Sequence, residues 1–154
     1  MNLDFFELLY SDQEFCRAIG KTTLAAGRFE SNLRAYLRLN GIEVTARDAT
    51  LGALISALSK HRLLSTNGIQ VLRDLKLQRN YLTHSLFDLF SGRIEETVLS
   101  RTELVPLDVE GFTEKALQLE ENLTGLSAIA EKRIADLVMR HSPPVVTDDC
   151  LFRP

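Results

Sequence analysis

SDQEFCRAIGKTTLAAGRFESNLRAYLRLNG, residues 11–41, decides how the whole chain is read. Ser11-Asp12-Gln13-Glu14 has the form of a capping box, in which a short polar side chain and a glutamate satisfy the first free N–H groups of a helix. From there Phe15, Ile19, Ala26, Phe29, Leu33, Tyr36 and Leu37 recur at helical spacing, and Asn40-Gly41 supplies the residue types that end a helix. A helix that long with one apolar stripe must bury the stripe against other elements. The rest of the chain repeats the pattern. A second helix starts near Thr50, carries Leu51, Leu54, Ile55 and Leu58, and fades between His61 and Leu64. Ser65-Thr66-Asn67-Gly68 reads as turn and cap of a third, marked by Ile69, Leu72, Leu75, Leu82 and Leu86 and ended by Ser91-Gly92. Residues 93–107, rich in β-branched and charged residues and closed by Pro106, read as an extended excursion or small hairpin. Asp108 then caps a last long helix through Phe112, Ala116, Leu119, Leu123, Leu126, Ile134 and Leu137. The expected fold is all-α: a bundle of about four main helices with a short extended excursion before the last, in one domain over residues 1–142. Residues 143–154, after Pro143-Pro144, are expected to be a flexible tail. No internal repeat or low-complexity tract appears.

The bulk properties agree with that plan. The chain has 154 residues, 45% hydrophobic and 25% charged, and at that size about 68–70% of the unfolded surface is buried in one core. Cys16 and Cys150 are too few and too far apart for a disulfide framework or a zinc site. With no basic-then-apolar leader and no long apolar run, the expectation is a cytoplasmic protein with reduced thiols and no membrane contact. Either cysteine reads as packing or tail, since no activating base is in view.

The formal charge of −3 is unevenly spread. Between Arg17 and Arg93 there are twelve Lys and Arg against five acids, whereas residues 1–16 carry four acids and no base and residues 94–154 six bases and twelve acids. Steering of a polyanion depends on the local potential, so the basic block suits one even on a net acidic chain. Solvated helix faces account for the same charges equally well.

Inside that block, Arg79-Asn80-Tyr81-Leu82-Thr83-His84 places a permanent cation, an amide that donates and accepts, and an imidazole within one helical segment. Arg clamps phosphoryl oxygens with two parallel N–H groups, and His exchanges a proton near neutrality. These are the parts of a metal-independent ribonuclease. The spacing also occurs in helices that carry a solvated Arg and a capped or half-buried His.

A helical bundle with Arg-Asn-x-x-x-His on its third helix resembles the HEPN superfamily. Ala26-Gly27-Arg28-Phe29-Glu30-Ser31-Asn32-Leu33 is similar to that family's acidic first-helix segment, and Thr50-Leu51-Gly52-Ala53-Leu54-Ile55 to the segment that often precedes its motif helix. The likeness spans roughly residues 12–140. It implies an endoribonuclease, the toxin or defence component of a bacterial system, with RNA as substrate, a second copy of the chain as partner, and an antitoxin or regulatory protein as a further partner. One position departs from the pattern. Toxins of this superfamily silenced by nucleotidyl modification carry a tyrosine two residues after the His, where this chain has Leu86. That argues against control through such a tyrosine.

On an ideal helix Arg79 and His84 point about 140° apart and lie about 7.5 Å apart along the axis, whereas Asn80 and His84 differ by about 40°. Two motif helices facing across a two-fold axis would bring two copies of Arg79, Asn80 and His84 into one cleft, the homodimer that the resemblance implies. The expected reaction is attack of the ribose 2′-hydroxyl on its 3′-phosphate, leaving a 2′,3′-cyclic phosphate and a 5′-hydroxyl. His84 acts as general base or acid, Arg79 stabilises charge on the phosphoryl oxygens, and Asn80 orients the phosphate or the imidazole. Glu30 is an auxiliary candidate, either fixing a His84 tautomer or holding Arg79, and an acid there is also commonly just solvated or salt-bridged. His61 and His141, in a loop and a tail, read as surface residues. No metal or other cofactor is expected, since no His, Cys, Asp and Glu cluster has ligand spacing. The competing expectations are a non-catalytic dimeric module that binds a nucleotide or a protein in the same cleft, and a helical adaptor that docks through its last helix.

Overall fold

A computed structural model describes residue 7 and residues 9–45, 50–85 and 105–141; of His84, Ser85 and residues 105–108 it describes the backbone alone. The elements are α1 (Gln13–Leu39), α2 (Leu51–Lys60), α3 (Thr66–Asn80), a π-helical turn (Tyr81–Ser85) and α4 (Val105–His141). The protein is an all-α helical bundle, with no strand among the described residues. Of the expected excursion, residues 93–107, the part 93–104 lies outside them, as do Leu86, Ser91, Gly92, Cys150 and the tail.

Short polar side chains start three of the helices. Asp12, Thr50 and Ser65 sit in extended backbone and accept from the N–H of Phe15, Ala53 and Gly68. Within the expected capping box Asp12 is therefore the cap, one residue after Ser11. At the other end of α1, Gly41 adopts φ +74 and its N–H reaches the Arg38 carbonyl while Ile42 N–H reaches Leu37. This is a Schellman ending, which needs a residue free to take positive φ. The end of α2 repeats it with Arg62 at φ 53, Arg62 N–H on Ser59 and Leu63 N–H on Leu58. There a side chain is carried into the left-handed region, at a cost of about 1–2 kcal/mol.

The sequence reading is corrected at α4. The helix begins at Val105, so Pro106 stands in its first turn and Asp108 inside it. Proline has no N–H and a fixed φ, so the first turn, where N–H groups lack helical partners, accommodates it.

The frame of the bundle is the long contact between α1 and α4, with α2 and α3 packed as a pair against it. Phe29, Leu33 and Leu37 from α1, Leu54 and Leu58 from α2, Leu72 and Leu75 from α3, Leu82 from the π turn, and Leu119 and Leu123 from α4 form one apolar cluster. Two hydroxyl residues are buried in this frame. Thr22 Oγ1 donates to the carbonyls of Ala18 in its own helix and Ala116 across the contact. Ser127 is buried as well, and its carbonyl accepts from Asn32. Among the described residues no helix is long and apolar enough to cross a membrane.

Candidate functional site

The motif does not lie on one regular helix. α3 ends at Asn80, with the Tyr81 N–H still on the Leu77 carbonyl four residues back, and the backbone continues through Tyr81, Leu82, Thr83, His84 and Ser85 as a π turn. In such a turn the N–H groups reach five residues back, so each residue advances by less than the 100° of an α-helix. Thr83 shows a local reason. Its hydroxyl donates to the Arg79 carbonyl at 2.7 Å, the acceptor that Thr83 N–H would use in an α-helix, and such back-bonding bends helices. The 140° separation of Arg79 and His84 assumed unbroken α-helix, so that argument for a two-fold composite cleft loses its premise.

Arg79 is turned to α1. Its Nη2 donates to Glu30 Oε1 at 3.3 Å and its Nη1 to Asn80 Oδ1 at 3.2 Å. The Glu30 side chain is mostly covered, 15% exposed, while that of Arg79 is 36% exposed. Three of the four expected residues are thus brought together, and Glu30 takes the role of holding Arg79. A guanidinium has five N–H donors; these two bonds leave others to a ligand. His84 lies one turn past Asn80 along the chain, and of it the structure gives the backbone only.

Two basic residues near this group were read merely as part of the basic block. Arg34 stands one turn beyond Glu30 on α1, and its Nε is buried without a hydrogen-bond partner. Lys76, one turn before Asn80, lies across α2: a Cβ placed on Gly52 would come within 3.3 Å of its Nζ. Helical spacing alone links Lys76 to Asn80 and Arg34 to Glu30 in the sequence. The facing of α1, α2 and α3 is what makes one basic neighbourhood of them.

Next to Asn80 in the chain, Tyr81 meets α4. Its ring stacks on Phe112 at 6.4 Å between centroids with 27° between planes, and Lys115 Nζ sits 5.0 Å from the Tyr81 centroid and 5.8 Å from that of Phe112. Tyr81 is 46% exposed. Nothing in the linear pattern points to this trio, because its members are separated by the residues before α4.

The remaining candidates fall elsewhere. His61 caps the C-terminus of α2 and is exposed, as expected. His141 is also exposed but ends α4, its Nδ1 2.8 Å from the Leu137 carbonyl. Cys16, expected to pack, is exposed with its thiol on the Leu9 carbonyl. An apolar cavity of about 240 Å³ between α1, α3 and α4 is lined by Phe29, Leu33, Leu72 and Leu126, with Arg133 at its edge; none of Glu30, Arg79 and Asn80 lines it. Among the described residues no group of three or more His, Cys, Asp and Glu is placed to hold a metal ion. Comparison of the chain with family models, with curated proteins and with solved structures found no match.

Proposed function

We propose that the protein is a metal-independent endoribonuclease of the HEPN type, acting on single-stranded RNA as a toxin or defence component. The observation that carries this reading is the placement of Arg79: ion-paired to Glu30, steadied by Asn80, partly exposed, and one turn from His84. A guanidinium anchored through some of its donors keeps its orientation and presents the rest to phosphoryl oxygens, where charge grows in the transition state. The ribose 2′-oxygen forms a bond to phosphorus and the bond from phosphorus to the 5′-oxygen breaks. His84 takes the 2′-hydroxyl proton or supplies the proton to the leaving oxygen, and water exchanges the other.

The resemblance carries the further proposal of a homodimer. Sedimentation showing only monomer at micromolar concentration would remove it. The test of the nuclease itself is incubation of the purified chain with a labelled RNA in the presence of a chelator. Wild type is expected to release products ending in a 2′,3′-cyclic phosphate, and His84→Ala to cleave about 10²–10⁴-fold more slowly, the usual contribution of general acid–base catalysis. Binding without cleavage by wild type would instead establish the non-catalytic module, in which the same Arg79 grips a phosphate.

A further inference from the structure

We propose that Tyr81 and Lys115 form a nucleobase subsite beside the phosphate-handling group, in which a base stacks on the Tyr81 ring while the Lys115 ammonium engages a flanking phosphate. The inference rests on the ribonuclease reading of Arg79 and His84 and adds to it the part of the substrate held next to the scissile bond.

Four observations converge on it. Tyr81 is nearly half exposed although it adjoins core residue Leu82, and its ring is backed by Phe112, which is itself buried. A ring held from behind is a platform that does not have to be ordered when a ligand arrives. Lys115 lies against both rings. Among the described residues the ion pairs are Arg28 with Glu131 and Arg79 with Glu30, so this ammonium rests on aromatic carbon and on no carboxylate of a described residue. A cation over an exposed ring gives up little when a base displaces it, and the flexible lysine stem lets it swing to a phosphate. Finally, position 81 directly follows Asn80 and precedes His84 by three residues, all within a single turn of the backbone. In an unpaired strand each base adjoins the phosphates of its own and the next nucleotide, so groups that share one turn of backbone can meet a base and an adjoining phosphate of the same strand. A paired strand keeps its bases stacked on one another, so the subsite selects single strands.

The chain has no tryptophan, which supplies a direct readout. Tyr81→Trp places the sole indole on the platform, and its fluorescence is followed on addition of a short ribose-methylated RNA, which lacks the attacking hydroxyl and cannot be cleaved. Saturable quenching by the single strand, and little by its duplex at equal nucleotide concentration, is expected. Tyr81→Ala should weaken binding of that strand by about 5- to 160-fold and Tyr81→Phe by little, the range that follows from loss of one base–aromatic stack. A strand with abasic positions should bind wild type and Tyr81→Ala alike, which separates loss of stacking from any unpacking of Phe112. Lys115→Gln should lower the dependence of log affinity on log salt by about 0.7, one phosphate contact to a single strand.

Equal affinity of wild type and Tyr81→Ala for the intact strand, an equal loss for the abasic strand, or absence of quenching would each overturn the subsite. The two proposals fail separately. Cleavage by a wild type whose binding ignores Tyr81 would sink the subsite and leave the nuclease standing. Quenching and base-dependent binding without cleavage would do the reverse.

Discussion

Two clusters of the same composition, one arginine, one asparagine and one glutamate each, sit on either side of Phe29 and are built in opposite ways. In the first, Arg28 and Asn32 of α1 converge on Glu131 of α4: Arg28 Nε donates to Glu131 Oε1 at 2.9 Å and Asn32 Nδ2 at 3.0 Å, with a further approach from Arg28 Nη2 at 2.8 Å. In the second the arginine stands in the middle, and Arg79 divides its donors between Glu30 and Asn80 at 3.3 and 3.2 Å. The first saturates one carboxylate oxygen with short contacts between two helices that already pack along their length. The second is longer, spans the frame and the short motif helix, and leaves a partly exposed guanidinium with donors that no other described residue takes up. Short and convergent bonds make a clamp. Long and divided bonds make a holder, and a holder is what the proposed phosphate site requires.

Phe29 separates the two, being 1% exposed between Arg28 and Glu30, and it gives the largest expected effect. Phe29→Ala should cost about 3–5 kcal/mol, the loss of a buried aromatic side chain plus the cavity left behind. Urea unfolding followed by circular dichroism measures it. A loss below about 1 kcal/mol would mean that Phe29 does not belong to the apolar core as described.

Truncating the two arginines sharpens the contrast next. If the proposed nuclease reading holds, Arg79→Ala should lower the rate of RNA cleavage about 10²–10³-fold, as removal of one stabilising donor does elsewhere, and should lower the melting temperature as well, because the mostly covered Glu30 carboxylate loses its cation. Arg28→Ala, whose pair is exposed on both sides, should leave cleavage unchanged and stability within about 1 kcal/mol. Single-turnover cleavage and thermal melting of both variants test this. Equal rates for the two would erase the distinction between clamp and holder.

What the chain disclosed beforehand follows from the kind of interaction at each place. Apolar residues at helical spacing were legible because their burial answers to one period: Phe29, Leu33, Leu54, Leu58, Leu72, Leu119 and Leu123 all lie in the core. Ser65 was legible within a cap, and Thr50 as the place where α2 begins, because capping is a contact over three residues. The π turn was not. A helix that changes its hydrogen-bond register keeps the same residue types, and only the Thr83 hydroxyl hints at the change. Val105 and Pro106 were misassigned because β-branched residues and proline suit an extended segment and a first helical turn alike. At the site, Arg79, Asn80 and Glu30 were found as types, but the choice of Arg79 as the partner of Glu30 depends on α1 facing α3. The Tyr81–Lys115 contact depends on α4 facing the π turn. Those are tertiary facts with no trace in local spacing.

The smallest effect concerns pH and distinguishes the clamp by its charge. The carboxyl of Glu131 is held below the ordinary carboxylate range, first by the hydrogen bond from Asn32 and then by that from Arg28; partial desolvation opposes them, and the Arg28 charge adds the smallest lowering. A carboxylate whose pKa is depressed in the folded state contributes stability that is fully present above its unfolded pKa, and that stability is lost as pH falls through the folded value. Near neutrality, therefore, Glu131→Gln should melt slightly below wild type. As the pH is lowered through and beneath the ordinary glutamate range the two melting temperatures should converge, because wild-type Glu131 is then protonated and no longer draws Arg28 and Asn32 as an anion. High salt at neutral pH should narrow the gap too, since the pair is exposed to solvent. Melting curves of both proteins across an acid titration decide it: a gap that persists unchanged at low pH would show that the substitution acts through packing at the α1–α4 contact, and that the charge of Glu131 contributes nothing to the clamp.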